Sequence, residues 1–323
     1  MSLLEVRNLS KADVHGLILD NIRFSQKAFQ KIALAGETGS GKSTLLKIIA
    51  GLEQPDSGEV IFNKSKVEGS ADKLVPGHPH IAYLPQYFEL QKFLRVKQVL
   101  TYANTLDERK ASELFKICKI DHLLERKTNE LSGGEKQRIA LCRLLITQPK
   151  LLLLDEPFSN LDPIVKQVLK SVIENAIKKL KITCILVSHD SDDTLPWADE
   201  IIVLKEGKKI QQAGPLEIYF KPVDRYVAGL FGFYHVLPKN LVSFFKIDQK
   251  ILRPEHFKIV ANPSSKTKRG KVVEVKFFGD HQLITISISD SFISFQENME
   301  AKRKVGESVY VALKMNLIKV RDS

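Results

Sequence analysis

The stretch that most constrains this chain is Gly36-Glu37-Thr38-Gly39-Ser40-Gly41-Lys42-Ser43, followed directly by Thr44. It leaves a short apolar run at residues 32–35 and opens into Leu45-Leu46-Lys47-Ile48-Ile49-Ala50, which holds no helix breaker. Strand, glycine-rich loop, helix is the context in which a G-x-x-x-x-G-K-[ST] pattern has physical meaning. The glycines permit positive φ, so successive backbone N–H groups can turn onto one anion. The positive pole of the following helix adds to that field, and Lys42 can reach terminal phosphates. Ser43 places a hydroxyl where a cation bridging two phosphates would sit. A site for a nucleoside triphosphate is therefore expected.

At 323 residues the chain has room for two domains. A hydrophobic content of 43% and a charged content of 27% are those of an ordinary globular protein. No apolar run approaches the ~18 residues of a membrane span. The start, Met1-Ser2-Leu3-Leu4-Glu5-Val6-Arg7, lacks the basic opening and long apolar core of a signal peptide and reads as a first strand, so the chain is expected to stay on the cytosolic side. Cys118, Cys142 and Cys184 show no metal-ligand spacing and sit among apolar neighbours, which predicts buried, reduced thiols. The net charge of +11 admits nucleic acid, an anionic membrane face or a solvated lysine-rich surface. The basic runs at 178–181 and 266–269 have no interleaved aromatic residues, which favours the solvated surface over a single-strand binder.

Apolar positions in short bursts (Leu4, Val6, Leu9, Ile18, Ile22, Phe24, Ile32, Leu34) predict strands leading to the phosphate loop. Residues 60–62 and 81–84 read as further strands around a polar loop. From Phe93 to about Leu124 the spacing becomes helical, a helical insertion placed at about 87–135. A helix at 136–147, an apolar strand at 151–154, a helix at 164–180, a strand at 183–187 and a hairpin from 201 complete an α/β series with a mostly parallel core. After about Gly232 the strand-like runs at 272–278, 283–286, 293–295 and 309–312, with turns at Gly279-Asp280 and Gly306-Glu307, predict a small all-β module. The expected domains are thus 1–231 and 232–323, with residues 231–245 as the connection.

Four patches add chemistry. Leu154-Asp155-Glu156-Pro157 ends a buried strand with two carboxylates, at the edge where parallel sheets bind ligands. Asp155 is placed for a Mg²⁺ shell and Glu156 for polarising a water in line with a γ-phosphate. Leu131-Ser132-Gly133-Gly134-Glu135 precedes a helix, with Ser132 as N-cap and two glycines exposing N–H groups, which makes a second phosphate site or a plain cap. Gln86, after the strand 81–84, could complete the Mg²⁺ shell with its amide oxygen. His189 ends another buried strand, where it meets a γ-phosphate or caps a turn.

Taken in order, these residues resemble the nucleotide-binding subunit of an ATP-binding cassette (ABC) transporter. The resemblance rests on Gly36 to Ser43, Gln86, the signature Leu131 to Glu135 with Lys136-Gln137-Arg138, Asp155-Glu156, Ser159-Asn160-Leu161-Asp162 and His189. Leu252-Arg253-Pro254-Glu255-His256, Gly270-Lys271-Val272-Val273 and Gly306-Glu307-Ser308-Val309 resemble the transport-associated oligonucleotide-binding-like (TOBE) domain of importers for iron(III), polyamines, oxyanions or sugars.

The resemblance implies a P-loop cassette followed by a small OB-like domain, using ATP and Mg²⁺. Two copies, or paired cassettes, would face head to tail. ATP held by Gly36, Glu37, Thr38, Gly39, Ser40, Gly41, Lys42, Ser43 and Thr44 of one would be capped by Ser132, Gly133 and Gly134 of the other. Ser43, Gln86 and Asp155 would hold Mg²⁺, Glu156 would be the base, Lys42 and His189 would contact the terminal phosphate, and 159–162 would link the two sites. A groove at Gln86, Tyr87, Phe88 and 93–99 would receive a helix of transmembrane permease subunits, which an extracytoplasmic solute-binding protein feeds. The chain would be peripheral on the cytoplasmic side, with no direct nucleic-acid partner. The family's early adenine-stacking aromatic has its matching position near Asp13, with His15 the only ring close by. A soluble cassette ATPase acting on nucleic acid or ribosomes is the alternative; it typically carries two cassettes or a long coiled coil, and neither is seen here.

Overall fold

A computed structural model describes residues 2–87, 90–247, 251–279, 281–289, 291–298 and 303–314. The groove residue Phe88 and the turn residue Asp280 lie outside the described residues. The chain divides into two compact units, Met1–Pro215 and Leu216–Ser323.

In the first unit, β1 (Ser2–Asp13) and β2 (Gly16–Lys27) form a hairpin, and β3 (Lys31–Ala35) runs through the phosphate loop into α1 (Lys42–Ile49). There follow β4 (Ser57–Phe62), β5 (Ser65–Lys66), β6 (Ile81–Leu84), α2 (Val96–Thr101), α3 (Glu108–Ile117) and α4 (Gly133–Leu145). The unit closes with β7 (Leu151–Asp155), α5 (Pro163–Leu180), β8 (Thr183–Val187), the short α6 (Ser191–Thr194), β9 (Glu200–Lys205) and β10 (Lys208–Ala213).

Two sheets result. The order β2-β1-β4-β5 is antiparallel, and β10-β9-β3-β8-β7-β6 is parallel except for β10 at its edge. The pattern dictates this split. Every residue of β7 and of β8 is buried, as a strand covered on both faces requires, whereas β2 alternates along most of its length. The early strands therefore build a sheet of their own, and only β3 enters the parallel one. One core cluster joins the two sheets through α1: Leu4, Ile22 and Phe62 share it with Leu45, Ile49, Leu153 and Val187. Helix α4 begins at Gly133 rather than near Lys136, because Ser132 and Glu135 cap each other's backbone N–H groups. All three cysteines are buried and free of disulfides. No described helix is long and apolar enough to cross a membrane.

The second unit holds α7 (Pro215–Phe220, from Leu216 on), α8 (Arg225–Leu230), β11 (His235–Val236), α9 (Lys239–Phe245) and β12 (Ile251–Leu252). Beyond them, β13 (Phe257–Val260), β14 (Lys268–Phe277), β15 (His281–Ile288), β16 (Ser291–Asn298) and β17 (Ser308–Leu313) form an antiparallel sheet ordered β13-β17-β14-β15-β16. Residues 231–245 are more than a connection: β11 pairs with β12, and Leu241 and Phe245 of α9 pack with Ile284, Ile286 and Phe295 of the sheet.

Arg253 explains why the division falls ahead of the expected 231/232. It is 1% exposed, and its guanidinium donates to the carbonyls of Tyr219 (3.0 Å), Gly232 (2.9 Å) and Phe233 (3.2 Å) while lying over the Tyr219 ring. A buried cation so engaged ties residues 219–233 to the β module. Arg253→Met, which keeps the stem but leaves these carbonyls without their donor, is expected to destabilise the second unit by about 3 kcal/mol; denaturant unfolding of the two proteins measures it.

Candidate functional site

The parallel sheet sets the site. Its neighbours β3, β8, β7 and β6 run the same way, with Leu34 opposite Val187, Val187 opposite Asp155, and Leu154 opposite Leu84. Their C-terminal ends are therefore level, and the segments leaving them meet at one edge. The phosphate loop leaves β3, His189 lies just past β8, Asp155 ends β7 with Glu156 next in the chain, and Gln86 lies just past β6. Residues far apart in sequence become neighbours through strand order alone.

In the loop, Gly36, Glu37 and Ser40 fold around Lys42. Its Nζ donates to Gly36 O (2.9 Å), Glu37 O (2.7 Å) and Ser40 Oγ (3.1 Å). Burial pulls the Lys42 pKa below its ordinary value, opposed by the charges of Glu156, Asp155 and Glu37. Gly36, Gly39 and Gly41 all take positive φ. At Gly41 a Cβ would also strike Ile18 O and Leu19 Cδ2, each at 2.7 Å, so only glycine can cap the N-terminus of α1 here. Thr38 and Gly39 are exposed at the turn of the loop, and Ser43 and Thr44 begin the helix.

Ser43 Oγ donates to Asp155 Oδ1 at 3.0 Å, so the loop hydroxyl and the strand-end carboxylate already face one another. The other carboxylate oxygen accepts from the Tyr83 hydroxyl at 2.9 Å. An oxygen pair of this kind suits Mg²⁺, a hard cation that takes one or two carboxylates plus substrate phosphates. Glu156, next in the chain, takes φ 49°, a left-handed conformation costly for a side-chain-bearing residue. Its N–H is held by Val187 O at 3.1 Å. Its Oε2 accepts from Gln86 Nε2 (3.1 Å) and Ser159 Oγ (2.9 Å), and His189 Nδ1 lies 3.5 Å away. Gln86 thus turns its amide nitrogen, not the expected oxygen, toward the acidic pair.

His189 is positioned from behind. Ser188 Oγ donates to Asp193 at 2.8 Å, and Asp193 receives Lys166 and Lys170 of α5 at 2.8 and 2.7 Å. Asp162 caps α5 through the N–H groups of Ile164 and Val165.

The segment Ser132–Gly134 stands apart from this cluster: no hydrogen bond joins it to the strand ends among the described residues. The connection of α4 to the site comes further along the helix, where buried Gln137 donates to Pro157 O at 3.0 Å and ties α4 to the loop after Glu156. Ser132 and Gly133 are exposed, whereas Gly134 is buried against α5. Asp13 and His15 lie in the exposed β1–β2 turn, where His15 N donates to Asp13.

Tyr83 and the Lys166–Asp193–Lys170 group carry no motif of their own in the sequence. The signal for Tyr83 was a hydroxyl one residue inside a strand that ends at the site; the lysines occur one helical turn apart at 166 and 170.

Similarity to known proteins has the same outline. A model of the ABC transporter family matches residues 19–159, and one of the TOBE domain matches residues 251–316. The Fe(3+) ions import ATP-binding protein FbpC 2 of Haemophilus influenzae is 30% identical, over 96% of this chain and 95% of its own. The molybdate/tungstate import ATP-binding protein WtpC of Pyrococcus abyssi is 31% identical over 98% and 100%. The spermidine/putrescine import ATP-binding protein PotA of Clostridioides difficile is 29% identical over 96% of each. Among solved structures, cbiO1 of Clostridium perfringens, part of the ABC transporter complex cbiONQ, aligns with TM-score 0.59 at 30% identity, covering 67% of this chain and 90% of that one.

Gly134 yields a sharp expectation. A Cβ there would lie 2.2 Å from Val165 Cγ1. Gly134→Ala is expected to lower the stability of the first unit by about 1–3 kcal/mol through overpacking, and adding Val165→Ala is expected to restore most of it, as thermal unfolding of the single and double variants will read.

Proposed function

The chain belongs to the ATP-binding subunits of ABC import systems, and from that premise we propose how its residues use ATP. As a member it is an ATP hydrolase. The proposal concerns which side chains do the work and what they work with.

The phosphates of ATP lie on the loop from Gly36 to Thr44. Lys42, now bonded to loop carbonyls, turns its ammonium to the terminal phosphates. Its pKa is lowered by burial, and phosphate charge beside it would favour the ammonium form. Ser43 and Asp155, with Gln86 beside them, are the residues that would hold Mg²⁺. The cation, when bound, neutralises charge on the phosphate oxygens.

Glu156 takes a proton from the attacking water as the new P–O bond forms and the bond to the leaving ADP oxygen breaks. The observation that carries this reading is the convergence on Glu156 Oε2. Gln86 and Ser159 donate to that single oxygen, and the His189 imidazole, from a third segment, lies 3.5 Å from it. Each can therefore exchange the carboxylate for a water or a phosphate oxygen. His189 supplies a donor to the γ-phosphate, and the bond from neighbouring Ser188 to Asp193 keeps it at the strand end.

Ser132, Gly133 and Gly134 belong to the same mechanism only if a second chain presents them. No hydrogen bond joins them to the strand ends of their own chain among the described residues, and Ser132 and Gly133 are exposed at the positive end of the 13-residue α4. A head-to-tail pair of cassettes closes them over the ATP of the partner. Ser159, which bonds Glu156, begins the segment 159–162 and relates closure to the base.

Tyr87 and Phe93 are exposed, and with residues 93–99 they would receive a helix of the transmembrane permease. The relatives are named for iron, molybdate or tungstate, and polyamines, a range of cargoes too wide for one ATPase fold to select. Selection of the cargo accordingly falls to the permease and an extracytoplasmic binding protein.

Glu156→Gln is expected to cut steady-state ATP hydrolysis by at least about 10²-fold while ATP still binds. Phosphate release and nucleotide binding, measured on the same preparation, test this; hydrolysis at the wild-type rate would remove Glu156 from its role.

A further inference from the structure

Tyr83 makes a contact at this site for which the ATPase mechanism has no use. It is the third residue of β6, opposite Leu153 in the parallel ladder, so its ring stands one step from the strand ends. Its hydroxyl donates to Asp155 Oδ2 at 2.9 Å, and Ser43 Oγ donates to Oδ1 at 3.0 Å. Asp155 is 3% exposed, and a carboxylate so buried needs donors on its oxygens. The two hydroxyls provide one for each.

They are not equivalent. A divalent cation held by Ser43 and Asp155 would draw on a lone pair from each, and the Ser43 proton would then turn away from Oδ1. The Tyr83 bond uses the other oxygen and is untouched by that exchange. It is the contact that can persist from the metal-free to the metal-bound site. We infer that Tyr83 is a positioning residue, whose hydroxyl fixes the plane of the Asp155 carboxylate for the divalent cation that accompanies the nucleotide. This rests on the ATPase reading of the site.

A further observation agrees. Packing alone gives no reason for the hydroxyl, since phenylalanine would fill the same place in the core cluster that the Tyr83 ring packs against.

Tyr83→Phe separates the hydroxyl from the ring. The probe is Mn²⁺ with a non-hydrolysable ATP analogue, free Mn²⁺ being read by electron paramagnetic resonance, and analogue binding is measured separately in EDTA. The variant is expected to hold Mn²⁺ about tenfold more weakly in the analogue complex, the worth of a hydrogen bond to a charged group. Its metal-free analogue affinity should stay unchanged, and in turnover the Mg²⁺ requirement should rise while kcat at saturating Mg²⁺ is retained. Equal Mn²⁺ affinity in the two proteins would overturn the inference and leave the ATPase reading standing. An equal loss of affinity in EDTA would also overturn it, because a general distortion of the pocket would then explain the result. If the wild-type chain itself binds no Mn²⁺ with the analogue, both readings fall together.

Discussion

The structure depends on one register: four parallel strands, β3, β8, β7 and β6, whose C-terminal ends are level. Their sequences make this possible because β7 and β8 are apolar over nearly their whole length, up to the terminal Asp155 in β7, and so must be covered on both faces. Level ends place a phosphate loop, an imidazole, two carboxylates and an amide along one edge, although the loop, the imidazole, the acidic pair and the amide are far apart in sequence. Asp155 is held to the loop by Ser43, and Glu156 is held to β8 through its own N–H. Shifting one strand by a residue would turn these side chains to the opposite face.

The acidic pair shows how neighbours acquire different tasks. Asp155 is the last residue of a buried strand and keeps extended geometry, with both oxygens occupied by hydroxyls. Glu156 leaves the strand with positive φ, and its carboxylate faces Gln86, Ser159 and His189 instead. One carboxylate is fixed by two hydroxyls. The other lies among side chains from three segments. Backbone strain at Glu156 is what divides them.

Much of this was legible in the chain. The phosphate loop declared itself by spacing and context, β7 and β8 by unbroken apolar runs, and the N-cap of α4 by Ser132, although the helical spacing itself pointed to a start only near Lys136. Strand order was not legible, because nothing local states that β6 lies beside β7. The bond from Tyr83 to Asp155 spans 72 positions and exists only once that order is known. For the same reason Gln137 appeared as one polar residue in a signature, and not as the link from α4 to Pro157. The sequence of the second unit shows strands after a connecting segment at 231–245. Its boundary was hidden because it depends on one buried cation, Arg253, reaching back to carbonyls at 219, 232 and 233. A charged residue in a polar-looking motif gives no sign that it will be buried.

The central claim is that the phosphate loop is half of a site, completed by Ser132 to Gly134 of a second copy. Light scattering on the Glu156→Gln protein, with and without Mg-ATP, tests it most directly when Ser132→Arg is added to the same chain. The account requires the mass of Glu156→Gln to double when Mg-ATP is added. It requires the double variant to stay monomeric while still binding ATP. A Glu156→Gln chain that is saturated with Mg-ATP and remains a monomer would contradict it.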